Sequence, residues 1–118
     1  MGFPKADGDT RRLFEACVPT GPNVRLRPMF GHAAAFVNGH MFACTLGRQV
    51  VVRLTGEELA TMLGVDGASV FEPVRGRKMR EYVVLPDTWK ADPPKVREVM
   101  LKSLAWVATL TPKPSKRS

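Results

Sequence analysis

The stretch Ala33-Ala34-Ala35-Phe36-Val37-Asn38-Gly39-His40-Met41-Phe42-Ala43-Cys44-Thr45-Leu46 places two apolar runs on either side of an Asn-Gly pair. Asn-Gly is the strongest short hairpin signal, because a two-residue type I′ turn needs positive φ at both central positions and these residues adopt it most readily. The pattern predicts strands at 33–37 and 40–46, with Phe36 opposite Met41, Ala35 opposite Phe42 and His40 opposite Val37. Gly47-Arg48-Gln49 then reverses the chain into Val50-Val51-Val52-Arg53-Leu54. The sequence leaves open whether this second loop holds two residues or three, and one slip would exchange the faces of the strand. Either Val50 or Val51 must therefore point away from a core built on one side of the sheet.

Upstream, residues 24–30 alternate weakly, and Pro28 marks them as a strand edge or entry, since proline cannot donate to a central ladder. Residues 1–8 read as a loose lead-in. Asp9 or Thr10 is placed to cap a short helix through Val18, with Leu13, Phe14 and Cys17 on one side, and Pro19-Thr20-Gly21-Pro22-Asn23 ends it. Downstream, Thr55-Gly56-Glu57-Glu58 has the form of a capping box, with Leu59, Met62 and Leu63 as the apolar face of a short helix and Gly64 at its end. Two strands follow at about 68–72 and 79–85, separated by Pro73-Val74-Arg75-Gly76-Arg77-Lys78 and closed by Pro86. Asp92 caps a last helix opened by Pro93. Val96, Val99, Met100, Ser103, Leu104, Trp106, Val107 and Leu110 form its broad inner face, leaving Leu101, Ala105 and Ala108 outside. The expected order is helix, three strands, helix, two strands, helix. This is an α+β, two-layer domain over residues 9–110, an antiparallel sheet covered by helices on one face, followed by a disordered basic tail at 111–118.

The chain has 118 residues, 44% of them apolar and 25% charged, which suits one globular core and excludes wholesale disorder. Eighteen basic residues against 11 acidic ones give a net charge of +7, a surface drawn to nucleic acid, anionic lipid or acidic proteins. Residues 111–118 contribute Lys113, Lys116 and Arg117, and without them the balance falls to 15 against 11. Cys17 and Cys44 lie in apolar stretches, and no C-x-x-C or Cys/His spacing suggests a metal. Met1-Gly2-Phe3-Pro4-Lys5 lacks the apolar run of a signal peptide, and no stretch is apolar enough to span a membrane. A cytoplasmic protein with two reduced thiols is expected.

The run Arg27-Pro28-Met29-Phe30-Gly31, followed by Phe36-Val37-Asn38-Gly39-His40-Met41-Phe42-Ala43, resembles the amino-terminal domain of the TfoX/Sxy family. Met79, Tyr82-Val83-Val84-Leu85-Pro86, Trp89 and Lys102-Ser103-Leu104 are similar to its second half, so the likeness runs over about residues 9–110. It implies a two-layer domain of the type-III-secretion-chaperone-like class. It also implies a relation to regulators of natural competence, which act with a cyclic-AMP receptor protein at particular promoters. Those regulators carry a second, carboxy-terminal domain, and His32 stands where the family usually has another glycine. The motif residues the resemblance singles out are Met29, Phe30, Gly31, Gly39, Phe42, Tyr82 and Pro86, for which packing and turn geometry are the simplest roles.

Arg75, Arg77, Lys78 and Arg80 next to Tyr82 are the candidate nucleic-acid contacts, because clustered cations bind phosphates and an aromatic stacks on a base. The competing reading is a solvated turn, diluted by Glu72 and Glu81. His32 and His40, joined by Cys44, are the residues that could share a metal, but the hairpin sets His32 several residues away from His40. Glu57-Glu58, the paired carboxylates, are accounted for by helix capping, and no serine sits in a nucleophile elbow. No phosphate-cradling glycine loop is present. No cofactor is expected. The leading expectation is a non-catalytic binding module whose partner is another protein or a second copy of the chain. Nucleic acid comes next, and an enzyme third.

Overall fold

In the computed structural model, which describes residues 8–29 and 32–112 (of Met29, the backbone), Asn38 and Gly39 take φ of 52° and 84°. The hairpin they turn joins β2 (His32–Val37) to β3 (His40–Leu46), with Val37 opposite His40 and Phe36 opposite Met41, as the turn chemistry requires. Beyond Phe36 the expected register fails: Ala35 pairs with Ala43, not with Phe42. Phe42 is the extra residue of a β-bulge. The bulge lets Phe42 and Ala43, consecutive in sequence, both enter the helix-side core, each with no exposed surface. Hydroxyls from the two sides of the sheet bind the carbonyls at this site. Ser103 Oγ donates to the Phe42 carbonyl at 3.1 Å, and the Tyr82 hydroxyl donates to the Met41 carbonyl at 2.9 Å.

The second loop is Gly47-Arg48, with Leu46 paired to Gln49 and positive φ at Gly47 alone, the pattern of a Gly-first type II′ turn. This fixes β4 (Gln49–Arg53): Val50 and Val52 join the helix-side core, and Val51 faces the other way. The full order is α1 (Gly8–Cys17), β1 (Val24–Met29), β2, β3, β4, α2 (Gly56–Leu63), β5 (Ser69–Val74), β6 (Arg77–Val84), a 3₁₀ turn at Asp87–Ala91 and α3 (Pro93–Val107). The strands form one antiparallel sheet in the order β1-β2-β3-β4-β6-β5. The α+β architecture is as expected, with residues 24–29 adding a fourth strand ahead of α2. Pro28 sits in that edge strand, where a missing N–H is tolerated.

Four local expectations are corrected. Helix α1 begins at Gly8, so Asp9 lies in its first turn and pairs with Arg12, while the buried Thr10 accepts a hydrogen bond from Lys90 at 3.0 Å. Thr55 is the N-cap of α2, yet its side chain makes no capping bond. Gly56 enters with φ of 59°, a left-handed step that carries the chain off the capping-box path, and Glu58 instead pairs with Lys102 of α3 at 3.5 Å. The segment Pro73–Lys78 is not a long loop: β5 and β6 extend into it, leaving only Arg75-Gly76 as a turn. Gly76, at φ of 84°, donates its N–H to Glu72 at 2.6 Å. Lastly, α3 ends at Val107, three residues short of Leu110.

The helices cover one face of the sheet. Phe14, Phe42, Val52, Val83, Val96, Met100 and Val107 form the fully buried centre of that layer. Leu101, Ala105 and Ala108 lie outside it, and Leu101 is 46% exposed. Pro86 is buried where the chain leaves the sheet and starts the 3₁₀ turn. It approaches Gly67 so closely that a Cβ there would lie 3.1 Å from the proline ring.

Candidate functional site

The opposite face of the sheet carries a second apolar cluster. Ala34, Cys44, Val51, Phe71 and Val84 are buried in it, with Phe36, Met41, Leu46, Met79 and Tyr82 half-buried around them. All of these described members belong to strands, so the cluster is shielded by the sheet's own side chains and no described helix residue joins it. The sequence signal for it was the unbroken apolar runs Ala33-Ala34-Ala35 and Val50-Val51-Val52, which fit strands buried on both faces.

Register places the neighbouring charges. Arg25 pairs with Phe36 and Arg27 with Ala34, so both arginines share the second face, and the Arg27 guanidinium lies 5.7 Å over the Phe36 ring. At the far side of the strip Arg77 alternates with Lys78 along β6, so the two point to opposite sides of the hairpin, and Arg77 follows the side taken by Met79. The grouping Arg75, Arg77, Lys78 and Arg80 is therefore not one patch, although all four are exposed. Tyr82 is set apart from them. Its hydroxyl holds the Met41 carbonyl, its ring lies 5.7 Å from the Arg53 guanidinium, and burial raises its pKa. Arg53 also lies 5.1 Å over Trp106 and binds Glu81 at 2.9 Å, tying α3 to the sheet at this corner.

Sequence reasoning missed Arg25 and Arg27 because their face depends on pairing with β2. Of the motif residues, Gly39 makes the turn, Phe42 is the bulge and Pro86 starts the 3₁₀ turn. Met29 pairs with His32 through the backbone, while its side chain, Phe30 and Gly31 lie outside the described residues, as do most of the expected lead-in and tail.

His32 and His40 begin adjacent antiparallel strands and so stand at opposite ends of the hairpin. His40 Nε2 lies 2.7 Å from the Thr111 carbonyl, and burial holds His32 below the ordinary histidine range. Among the described residues, no group of three His, Cys, Asp or Glu side chains is placed to hold a metal ion. A cleft of about 190 Å³ between α2 and α3 is lined by Leu54, Met62, Trp89 and Val99, with Glu58, Glu98, Lys95 and Lys102 around it. Its two acids and two bases give it no charge preference. No described helix is long and apolar enough to cross a membrane.

The thiols lie on opposite faces of the sheet, Cys17 in the helix-side core and Cys44 in the second cluster, and both are free. Thiol titration of denatured, unreduced protein is expected to find two, and finding none would contradict this placement. Burial raises the pKa of Cys17 and pushes that of Cys44 up to about 12 from its ordinary 9.0. Unfolded chain ionises Cys44 first as pH rises. This contribution to stability is therefore complete below about pH 9 and is lost towards pH 12. A urea midpoint that falls over that window in the parent, and falls less in Cys44→Ala, is the expected result.

No curated protein and no solved structure matches the chain. Among known families, residues 15–106 match the TfoX N-terminal domain, a span that includes the bulged hairpin, the six described strands and Ser103 of α3. The chain belongs to the TfoX N-terminal domain family.

Proposed function

We propose that this protein is a non-catalytic regulatory module that acts by binding another protein through the second face of its sheet. The observation that carries this reading is the half-buried strip of Phe36, Met41, Leu46 and Met79, an apolar surface over which no described helix packs. The exposed margin of α3 at Leu101, Ala105 and Ala108 gives secondary support. The family supports a regulatory role, and a partner engaged through protein contacts in the cytoplasm fits both.

The competing partner is nucleic acid, for which the exposed Arg75, Arg77, Lys78 and Arg80 remain the candidates. The test is transcript levels in the native host, with variants compared at equal steady-state protein. Met41→Glu with Met79→Glu is expected to abolish the regulatory response, and neutralising Lys78, which points to the other side of the hairpin from Arg77 and Met79, is expected to leave it. The reverse result would put nucleic acid first. In vitro, the parent is expected to bind duplex DNA only weakly near physiological salt, with that binding lost on deleting residues 111–118. If the hairpin were the contact, neutralising it would lower the log–log salt slope by about 0.9 per phosphate contact.

A further inference from the structure

Charge in this chain is divided between the two layers. Residues 24–54 and 69–84, which hold every described strand, carry eight basic residues and two acidic ones. Both acids are engaged, Glu72 by the Gly76 N–H and Glu81 by Arg53. On the helical side the cations are largely matched: Arg11 with Glu15, Arg12 with Asp9, Lys90 with Asp87 and Lys102 with Glu58. Among the described residues, no ion pair holds Arg25 or Arg27 at one flank of the second face, or Arg77 at the other, or Arg75 in the turn beyond it. Of the apolar strip, Phe36, Met41 and Leu46 lie on strands between these flanks, and Met79 stands two residues from Arg77 on β6.

From this juxtaposition we infer that the second face of the sheet docks an acidic amphipathic segment of a partner protein, its apolar side chains on the strip and its carboxylates on the flanking arginines. The inference rests on the protein-contact reading above and specifies the partner's chemistry. Strand β1 is four strand spacings from β6, roughly 19 Å at ordinary sheet spacing, and Arg77 stands further along β6 than Tyr82, which pairs with Arg53 of β4, so the two flanks are farther apart than that spacing. A helix of more than about thirteen residues spans the two flanks, so the segment needs carboxylates near both ends and apolar anchors between them. Arginine suits the role, since its planar fork binds a carboxylate through two hydrogen bonds.

Two other occupants fit less well. A second copy would set like-charged flanks against each other, and pairing through sheet edges is opposed by Pro28 in β1 and Pro73 in β5, the two edge strands. Single-stranded nucleic acid needs open aromatic faces. Arg27 already lies over Phe36, Arg53 lies against Tyr82 with its hydroxyl engaged, and the rest of the strip is aliphatic or thioether.

The experiment uses the full chain with methyl-labelled methionine and three probes: a peptide of Leu and Phe anchors flanked by Glu, its counterpart with Lys for Glu, and oligothymidine. Met41 and Met79 report on the second face, and the buried Met62 and Met100 report on the helix side. The acidic peptide is expected to shift Met41 and Met79 and leave Met62 and Met100 in place, with affinity falling as salt rises. Arg25→Glu with Arg27→Glu should weaken it at least about tenfold while the fold, read from Met62 and Met100, is kept. Equal or stronger binding of the lysine peptide, or of oligothymidine, at Met41 and Met79 would overturn the inference. So would absence of acidic-peptide binding, or self-association through this face. If the transcript response still depends on Met41 and Met79 in those cases, protein contact stands and only the acidic partner falls.

Discussion

Phe42→Ala is expected to cost about 3–5 kcal/mol of folding stability, out of the roughly 5–15 kcal/mol that a domain of this kind usually has. The side chain is fully buried, and it is the bulged residue of β3, so its loss removes packing from the helix-side core at the point where the sheet is least regular. Partial collapse is restricted, because Ser103 of α3 holds the Phe42 carbonyl and Tyr82 holds the Met41 carbonyl. Urea titration should show a much lower midpoint at nearly unchanged slope. A variant that melts within a degree or two of the parent would mean that Phe42 is not where this fold places it.

Phe71→Ala tests the other side of the sheet. On a sheet with one solvated face, a residue of β5 pointing away from the helices would be exposed, and truncating it would change stability by less than about 0.5 kcal/mol. Phe71 is instead 4% exposed among Cys44, Val51 and Val84, so the expected loss is about 3 kcal/mol, the low end for a buried phenylalanine because an edge strand relaxes more easily. Val74→Ala on the same strand, at a position 48% exposed, is the internal control and should be nearly neutral. Equal and small effects for the two would show that the second cluster is not a core.

Much of the frame was legible because its signals are local. Asn38-Gly39 makes the same turn in any context that continues both strands, so the hairpin and the Phe36–Met41 pair could be read directly. The inner face of α3 followed from the spacing of Val96, Val99, Met100, Ser103 and Val107, which is a property of the helix alone. Pro28 gave an edge position for residues 24–29 because the missing N–H is itself local. The face of Val51 was not legible. It depends on one residue in the loop before it, and Gly47-Arg48 and Gly47-Arg48-Gln49 are both acceptable turns in isolation.

What the sequence by itself determined is the α+β class, the Asn38-Gly39 turn, the helix faces, the exposed margin of α3 and the excess of positive charge. Each comes from backbone preferences or side-chain periodicity within a few residues. Tertiary structure alone decided the bulge at Phe42, because a bulge disrupts the ladder locally and the carbonyls there are met by distant groups, Ser103 and Tyr82, 61 and 41 residues away. It alone assembled the second face too, since Arg25 and Arg27 gain a common side with Phe36 and Ala34 only through pairing of β1 with β2. Charge is written along the chain, but its division between a basic sheet and a paired helical layer depends on which residues meet across the fold.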